Sequence, residues 1–175
     1  MTLSRAEADL YGKDLIHISQ HAGVEAICDT ILNQDIFEVA TLLPKGFVDL
    51  LILDPPYNLN KTFTSAAFRK KSIAKYAEWF ENIVVSILPT LKRTASVYVC
   101  SEWYSSTAVH LVLDKYLKVR NRITWEREKG RGAGKSWKNA SEDIWFATVC
   151  DRYTFNLKDV KLKRRVLAPY TDAAG

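Results

Sequence analysis

Asp54, Pro55, Pro56, Tyr57 and Asn58 stand in direct succession behind the apolar run Val48 to Leu53, in "VDLLILDPPYN". The two prolines fix φ at about −65°, and Pro56 also holds Pro55 extended, so the turn is a rigid frame of backbone carbonyls with few competing N–H groups. Asp54 adds a carboxylate, Pro55 a main-chain carbonyl and Tyr57 an aromatic face about as wide as a nucleobase. Such a set suits an exocyclic amino group whose base stacks on the tyrosine, as in adenine or cytosine. An exocyclic amine is a poor nucleophile because its lone pair is delocalised into the ring. Two acceptors gripping its hydrogens favour a pyramidal nitrogen and stabilise the positive charge that develops as it attacks an electrophilic methyl group. Groups placed in this way contribute roughly 3 to 4 kcal/mol each, so the chemistry requires neither a metal nor a covalent intermediate. Nothing else in the chain calls for a metal. His17 and His21 are four apart but lack the glutamate of a zinc-peptidase helix, and Cys28, Cys100 and Cys150 have no Cys-x-x-Cys spacing and are expected as core thiols.

A strand must deliver that turn. Val48 to Leu53 reads as a strand covered on both faces, and Tyr76 to Leu88 as an amphipathic helix stopped by Pro89. Ser96 to Cys100, Val119 to Trp125 and Asp143 to Val149 read as further strands, with a second helix over Thr107 to Leu117. Upstream, Ile31 to Asp35 is a short strand or loop entry, and Phe37 to Leu43 a short helix closed by Pro44 and Gly46. Strands alternating with helices predict parallel βαβ units in an open, doubly wound, Rossmann-like α/β sheet. Ligands of such sheets bind beyond the carboxyl ends of the strands, where Asp54 to Asn58 falls. "KGRGAGKS" imitates a phosphate-binding loop, but Lys129 occupies the position of its first glycine. A basic loop whose Arg131 and Lys135 approach DNA phosphates fits better, since its glycines let the backbone come close.

With 175 residues, 47% of them hydrophobic and 26% charged, the chain has the composition of a soluble, cytoplasmic, single-domain protein. No apolar run nears the roughly 20 residues that span a bilayer. Its net charge of +5 is grouped, at Arg69 to Lys71, between Arg127 and Lys138, and between Lys158 and Arg165. Grouped cations on loops suit a polyanion, and double-stranded DNA is the expected partner.

"DPPYN" at the end of a buried strand resembles the catalytic motif of the amino-group DNA methyltransferases that use S-adenosylmethionine. "NQD", "YAEWF", "SVYVCSEW" and "ITWEREKGRGAGKSWKNASEDIWFAT" are similar, in that order, to enzymes of this family whose catalytic half precedes the cofactor half. The similarity runs from Ile31 to the carboxyl end. The resemblance implies that Asp54 and Pro55 hold the target amino group within a turn stiffened by Pro56, and that Tyr57 stacks on the flipped base. It places Asn58 and Trp125 on the substrate side, Asp35 near the adenine of the cofactor and Asp54 near its amino-acid portion. Asp35 equally suits a helix cap, and Trp125 a core position. Aspartate at the head of the motif is usual for adenine-N6 enzymes and serine is commoner for cytosine-N4, so adenine is expected. Cytosine-N4 methylation and a catalytically silent DNA-binding fragment are the alternatives. The family's Phe-x-Gly-x-Gly cofactor turn does not occur in the sequence. The chain is therefore expected to be a partial catalytic domain, 1–175, with an amino-terminal extension over 1–30 and the start of a target-recognition or linker segment over 161–175. A homodimer partner or a complementing cofactor-binding segment is expected beside the Val48 strand.

Overall fold

The structure is a computed structural model that describes residues 4–62, 67–131, 134–135 and 137–161. Its centre is a four-stranded sheet of β1 (Val48–Leu53), β2 (Leu91–Ser101), β3 (Lys118–Arg131) and β4 (Asn139–Thr148), in the order β1-β2-β4-β3. β1 runs parallel to β2, with Leu51 opposite Val97 and Leu53 opposite Val99. β4 runs antiparallel to both of its neighbours, with Ala147 opposite Val97 and Ile144 opposite Ile123.

This corrects the expectation of parallel units throughout. Three strands share one direction and β4 is reversed between β2 and β3. The cause is the length of the link from Arg131 to Asn139, which is too short for a parallel crossover of a dozen or more residues, so β3 and β4 close as a hairpin.

Two helices lie on one face of this sheet. α1 (Ile73–Ile87) starts at Ser72, whose hydroxyl accepts from the Lys75 N–H at 3.3 Å, and it buries Tyr76, Phe80, Ile83, Val84 and Ile87 on one stripe. It gives way to a single 3₁₀ turn over Leu88–Thr90 containing Pro89, which cannot continue an α-helix. α2 (Ser106–Tyr116) buries Ala108, Val109, Val112 and Leu113. Both stripes meet Val97, Val99 and Ala147 in one core, with Leu51 and Leu53 packed against it.

The opposite face is unevenly covered. Phe146 stacks on Tyr98 at 4.8 Å between ring centres and receives Tyr153 and Phe155 from the segment after β4. On edge strand β1, Leu50 is 54% exposed and Ile52 68%. The prediction of a strand covered on both faces therefore holds for one face of β1 only.

Before β1 the elements are small. A helix over Arg5–Tyr11 begins with a capping box between Ser4 and Glu7. Leu15–Ile16 pairs in parallel with Ile31–Leu32, tying the first thirty residues to the chain that follows. The Gln34 amide strengthens this tie, accepting from the Ile18 N–H at 2.7 Å and donating to the Ile18 carbonyl at 2.9 Å. The short helix expected before Pro44 is Ile36–Val39, extended by a 3₁₀ turn over Ala40–Leu42. Cys28, expected in the core, is exposed, while Cys100 and Cys150 are partly buried. No described helix is long and apolar enough to cross a membrane. The segment from residue 162 onward lies outside the described residues.

Candidate active site

β1 ends at Leu53, and the next four residues, Asp54 to Tyr57, line a cleft of about 710 Å³ beyond the carboxyl ends of β1 and β2. That volume lies within the range of small-molecule sites. Glu102 and Trp103, which follow β2, form a second wall. Arg127 of β3 with Asn139, Ser141 and Glu142 of β4 form a third, and Leu59, Asn60 and Phe68 close the side nearest α1.

The turn is held from below. Tyr76, fully buried on α1, donates its hydroxyl to the Pro56 carbonyl at 3.1 Å. Burial, opposed in part by a hydrogen bond with Ser105, raises the Tyr76 phenol to about 12, so it stays a donor over the ordinary pH range. Asn58 is fully buried, and its amide accepts from the Lys71 N–H at 2.7 Å and donates to the Lys71 carbonyl at 3.0 Å. Asn60 accepts from the Lys70 N–H at 2.9 Å. These bonds tie the motif to the entry of α1, with a small antiparallel ladder of Lys61–Thr62 and Ala67–Phe68 looping out between them. Asn58, expected on the substrate side, is thus engaged at both ends of its amide and positions the loop.

Tyr57 reaches across the cleft. Its hydroxyl donates to Glu142 Oε2 at 3.3 Å, and the other Glu142 oxygen is ion-paired with Arg127. Burial first, then the Asp54 and Glu142 carboxylates, push the Tyr57 phenol far up, so it is a neutral donor. The same burial and the same two carboxylates raise the Cys100 thiol beside them, which disfavours the thiolate and leaves the sulfur a poor nucleophile. Glu102, almost wholly buried, accepts from Tyr104 N–H at 2.6 Å, Ser105 N–H at 2.8 Å and Ser105 Oγ at 2.6 Å. Its carboxylate caps the entry to α2 and sets the position of Trp103, which is 64% exposed at the cleft.

The predicted residues therefore divide. Asp54, Pro55, Pro56 and Tyr57 are together in the cleft. Asp35 lies outside its lining and caps the Ile36–Val39 helix, accepting from the Phe37 N–H at 2.8 Å. Trp125 is exposed on β3, opposite Glu142 in register but outside the lining, so the core position open to it in the sequence is not taken. Lys135 is exposed in the β3–β4 link, and the Arg131 side chain lies outside the described residues. Sequence reasoning passed over Trp103, Arg127 and Glu142. The available signal was their position just beyond, or at the mouth of, strands that were themselves legible.

The arrangement is an acidic, aromatic cleft rimmed by cations. Asn60 and Phe68 on one wall adjoin Arg69 to Lys71, and Asn139 on another adjoins Lys135 and Lys138. An aromatic face, a carboxylate and backbone carbonyls in the cleft suit a flat base with an amino group, and cations at the mouth suit phosphates.

The family model of the N6/N4 methyltransferases, described as DNA methylase, matches residues 48–167, from the first residue of β1 onward. Among curated proteins, the type II methyltransferase M.BglII of Bacillus subtilis is 26% identical over 145 residues, covering 77% of this chain and 39% of that protein. The DNA adenine methyltransferase YhdJ of Escherichia coli (strain K12) is 26% identical over 129 residues, covering 73% of this chain and 44% of its own length. Among solved structures, the PvuII DNA methyltransferase (cytosine-N4-specific) superposes with a TM-score of 0.62 at 14% identity, over 75% of this chain and 52% of that one. A DNA modification methylase of Thermus thermophilus, complexed with S-adenosyl-L-methionine, gives 0.52 at 14% identity, over 71% and 55%. At these identities the likeness is one of fold. The chain spans about half the length, or less, of the proteins it matches.

Proposed function

Because the chain belongs to the DNA methylase family of N6/N4 methyltransferases, we propose that it carries the catalytic part of a DNA methyltransferase that transfers a methyl group from S-adenosylmethionine to N6 of adenine. The observation that carries this reading is the placement of Asp54, Pro55 and Tyr57 together in one cleft beyond the carboxyl end of a parallel strand. The aspartate at the head of the motif and the adenine activity in the name of one relative favour adenine over cytosine.

The cleft fits the cofactor in chemistry. Its Asp54 and Glu142 carboxylates match a cationic sulfonium, and Phe68 and Trp103 offer aromatic faces to the same charge. Asp54, with Asp35 by family resemblance, would hold S-adenosylmethionine, which when bound supplies an electrophilic methyl group. The chain's own residues do the rest. Tyr57, its hydroxyl fixed by Glu142, presents a ring on which the extruded base stacks. Asp54 and the Pro55 carbonyl accept the two hydrogens of the amino group, directing its lone pair outward and stabilising the charge that grows on nitrogen. Tyr76 holds Pro56 so that these acceptors keep their position as charge develops. Lys135, Arg131 and the Arg69 to Lys71 group meet the phosphates of the duplex.

Replacing Asp54 by alanine tests the assignment. The acceptor acts on the amine in the transition state and touches no phosphate. Methyl transfer should therefore fall by a factor on the order of 10² to 10³ with DNA affinity retained. Near-normal turnover by Asp54→Ala would remove Asp54 from the chemistry.

A further inference from the structure

Trp137 is 97% exposed, although tryptophan is among the side chains most covered on average in folded proteins. Its position gives that exposure a meaning. β4 pairs with β2 only as far as Asp143, opposite Ser101, whereas the β3–β4 hairpin continues through Trp125 opposite Glu142 to Arg131 opposite Asn139. The hairpin therefore overhangs the carboxyl end of the sheet. The overhang supplies Arg127, Asn139 and Glu142 to the cleft and carries Trp137 between the exposed lysines Lys135 and Lys138.

Distance ties the indole to the cleft. Trp137 is two residues from Asn139, a cleft residue, and two residues reach at most about 7 Å. Successive phosphates along one DNA strand are about 3.4 Å apart along the helix axis, so this reach covers roughly two nucleotide steps. An exposed indole flanked by cations matches a base stack flanked by phosphates, since aromatic side chains stack on any base and inserted ones part a base step.

We propose that Trp137 inserts into the base stack of double-stranded DNA within about two nucleotide steps of the target base, while Lys135 and Lys138 meet the adjoining phosphates. This rests on the reading of the cleft as the target-base site. It adds a function for the overhang: the indole replaces stacking lost when the target leaves the helix, which lowers the cost of extrusion.

The test is an anisotropy titration of the protein with a mixed-sequence DNA duplex and with the same duplex carrying one abasic site. Where a base is already missing, the indole enters without parting a step, so the wild-type protein should prefer the abasic duplex. Trp137→Ala should lose that preference and bind both duplexes more weakly, on the order of tenfold, with an unchanged salt slope. Trp137→Phe should retain most of both properties. Lys135→Ala with Lys138→Ala should instead flatten the salt dependence while keeping the abasic preference. Circular dichroism of each variant checks the fold. Unaltered affinity and preference in Trp137→Ala would overturn the insertion and leave the DNA-binding reading standing. Failure of the wild-type protein to bind either duplex would overturn both.

Discussion

At the scale of residues, Tyr57 serves two partners at once: its ring faces the cleft while its hydroxyl is spent on Glu142, which is itself paired with Arg127. A ring fastened at its far end keeps one plane, and a flat base stacks productively only on a plane that stays put. Glu142→Ala should therefore lower kcat about tenfold with little change in DNA affinity, a loss of about 1.4 kcal/mol of transition-state stabilisation. Glu142→Gln, whose carbonyl still accepts from the phenol, should recover most of it. Steady-state kinetics on the two variants decide the matter, and equal impairment of both would show that charge rather than position is at stake. The motif itself was legible because its members are contiguous and act from one turn. Glu142, Arg127 and Trp103 were not, since strands far apart in sequence bring them to the cleft. Asn58 looked like a ligand for the same reason that it is not one. An amide can satisfy a donor and an acceptor together, and here both belong to Lys71.

At the scale of elements, the site depends on how the motif loop is moored to α1. Asn58→Ala would leave the Lys71 N–H and carbonyl without partners in a buried position, and each such group costs roughly 1 to 3 kcal/mol. A loss of about 2 to 4 kcal/mol in urea unfolding is expected. A loss below about 0.5 kcal/mol, the size of an ordinary surface change, would show that the mooring is redundant. Hydrophobic periodicity located β1 at its observed bounds and both helices to within a few residues, because burial of one stripe or face is written into the spacing of apolar side chains. Direction is not written there: β4 alternates in the same way whether it runs with β2 or against it. Only the short link after Arg131, read together with its glycines, could have announced a hairpin, and that stretch drew attention as a phosphate-loop look-alike instead.

At the scale of the whole molecule, β1 presents an open edge and Leu50 and Ile52 to solvent while its other face is packed, an arrangement that invites another strand or apolar surface. The chain also spans about half the length, or less, of the proteins it matches. The isolated chain should self-associate through this edge, and Leu50→Lys with Ile52→Lys should make it monomeric with little change in unfolding midpoint. Sedimentation velocity distinguishes the outcomes, and association of equal strength in the lysine variant would place the contact elsewhere. The core, the cleft and its cationic rim nevertheless lie within this chain, so the chemistry assigned to it has one direct measurement. DNA incubated with the protein and S-adenosylmethionine, digested to nucleosides and analysed by mass spectrometry, should contain N6-methyladenine, and the Asp54→Ala protein should leave the DNA unmethylated. N4-methylcytosine as the product, or no methylated base from the wild-type protein, would contradict the account.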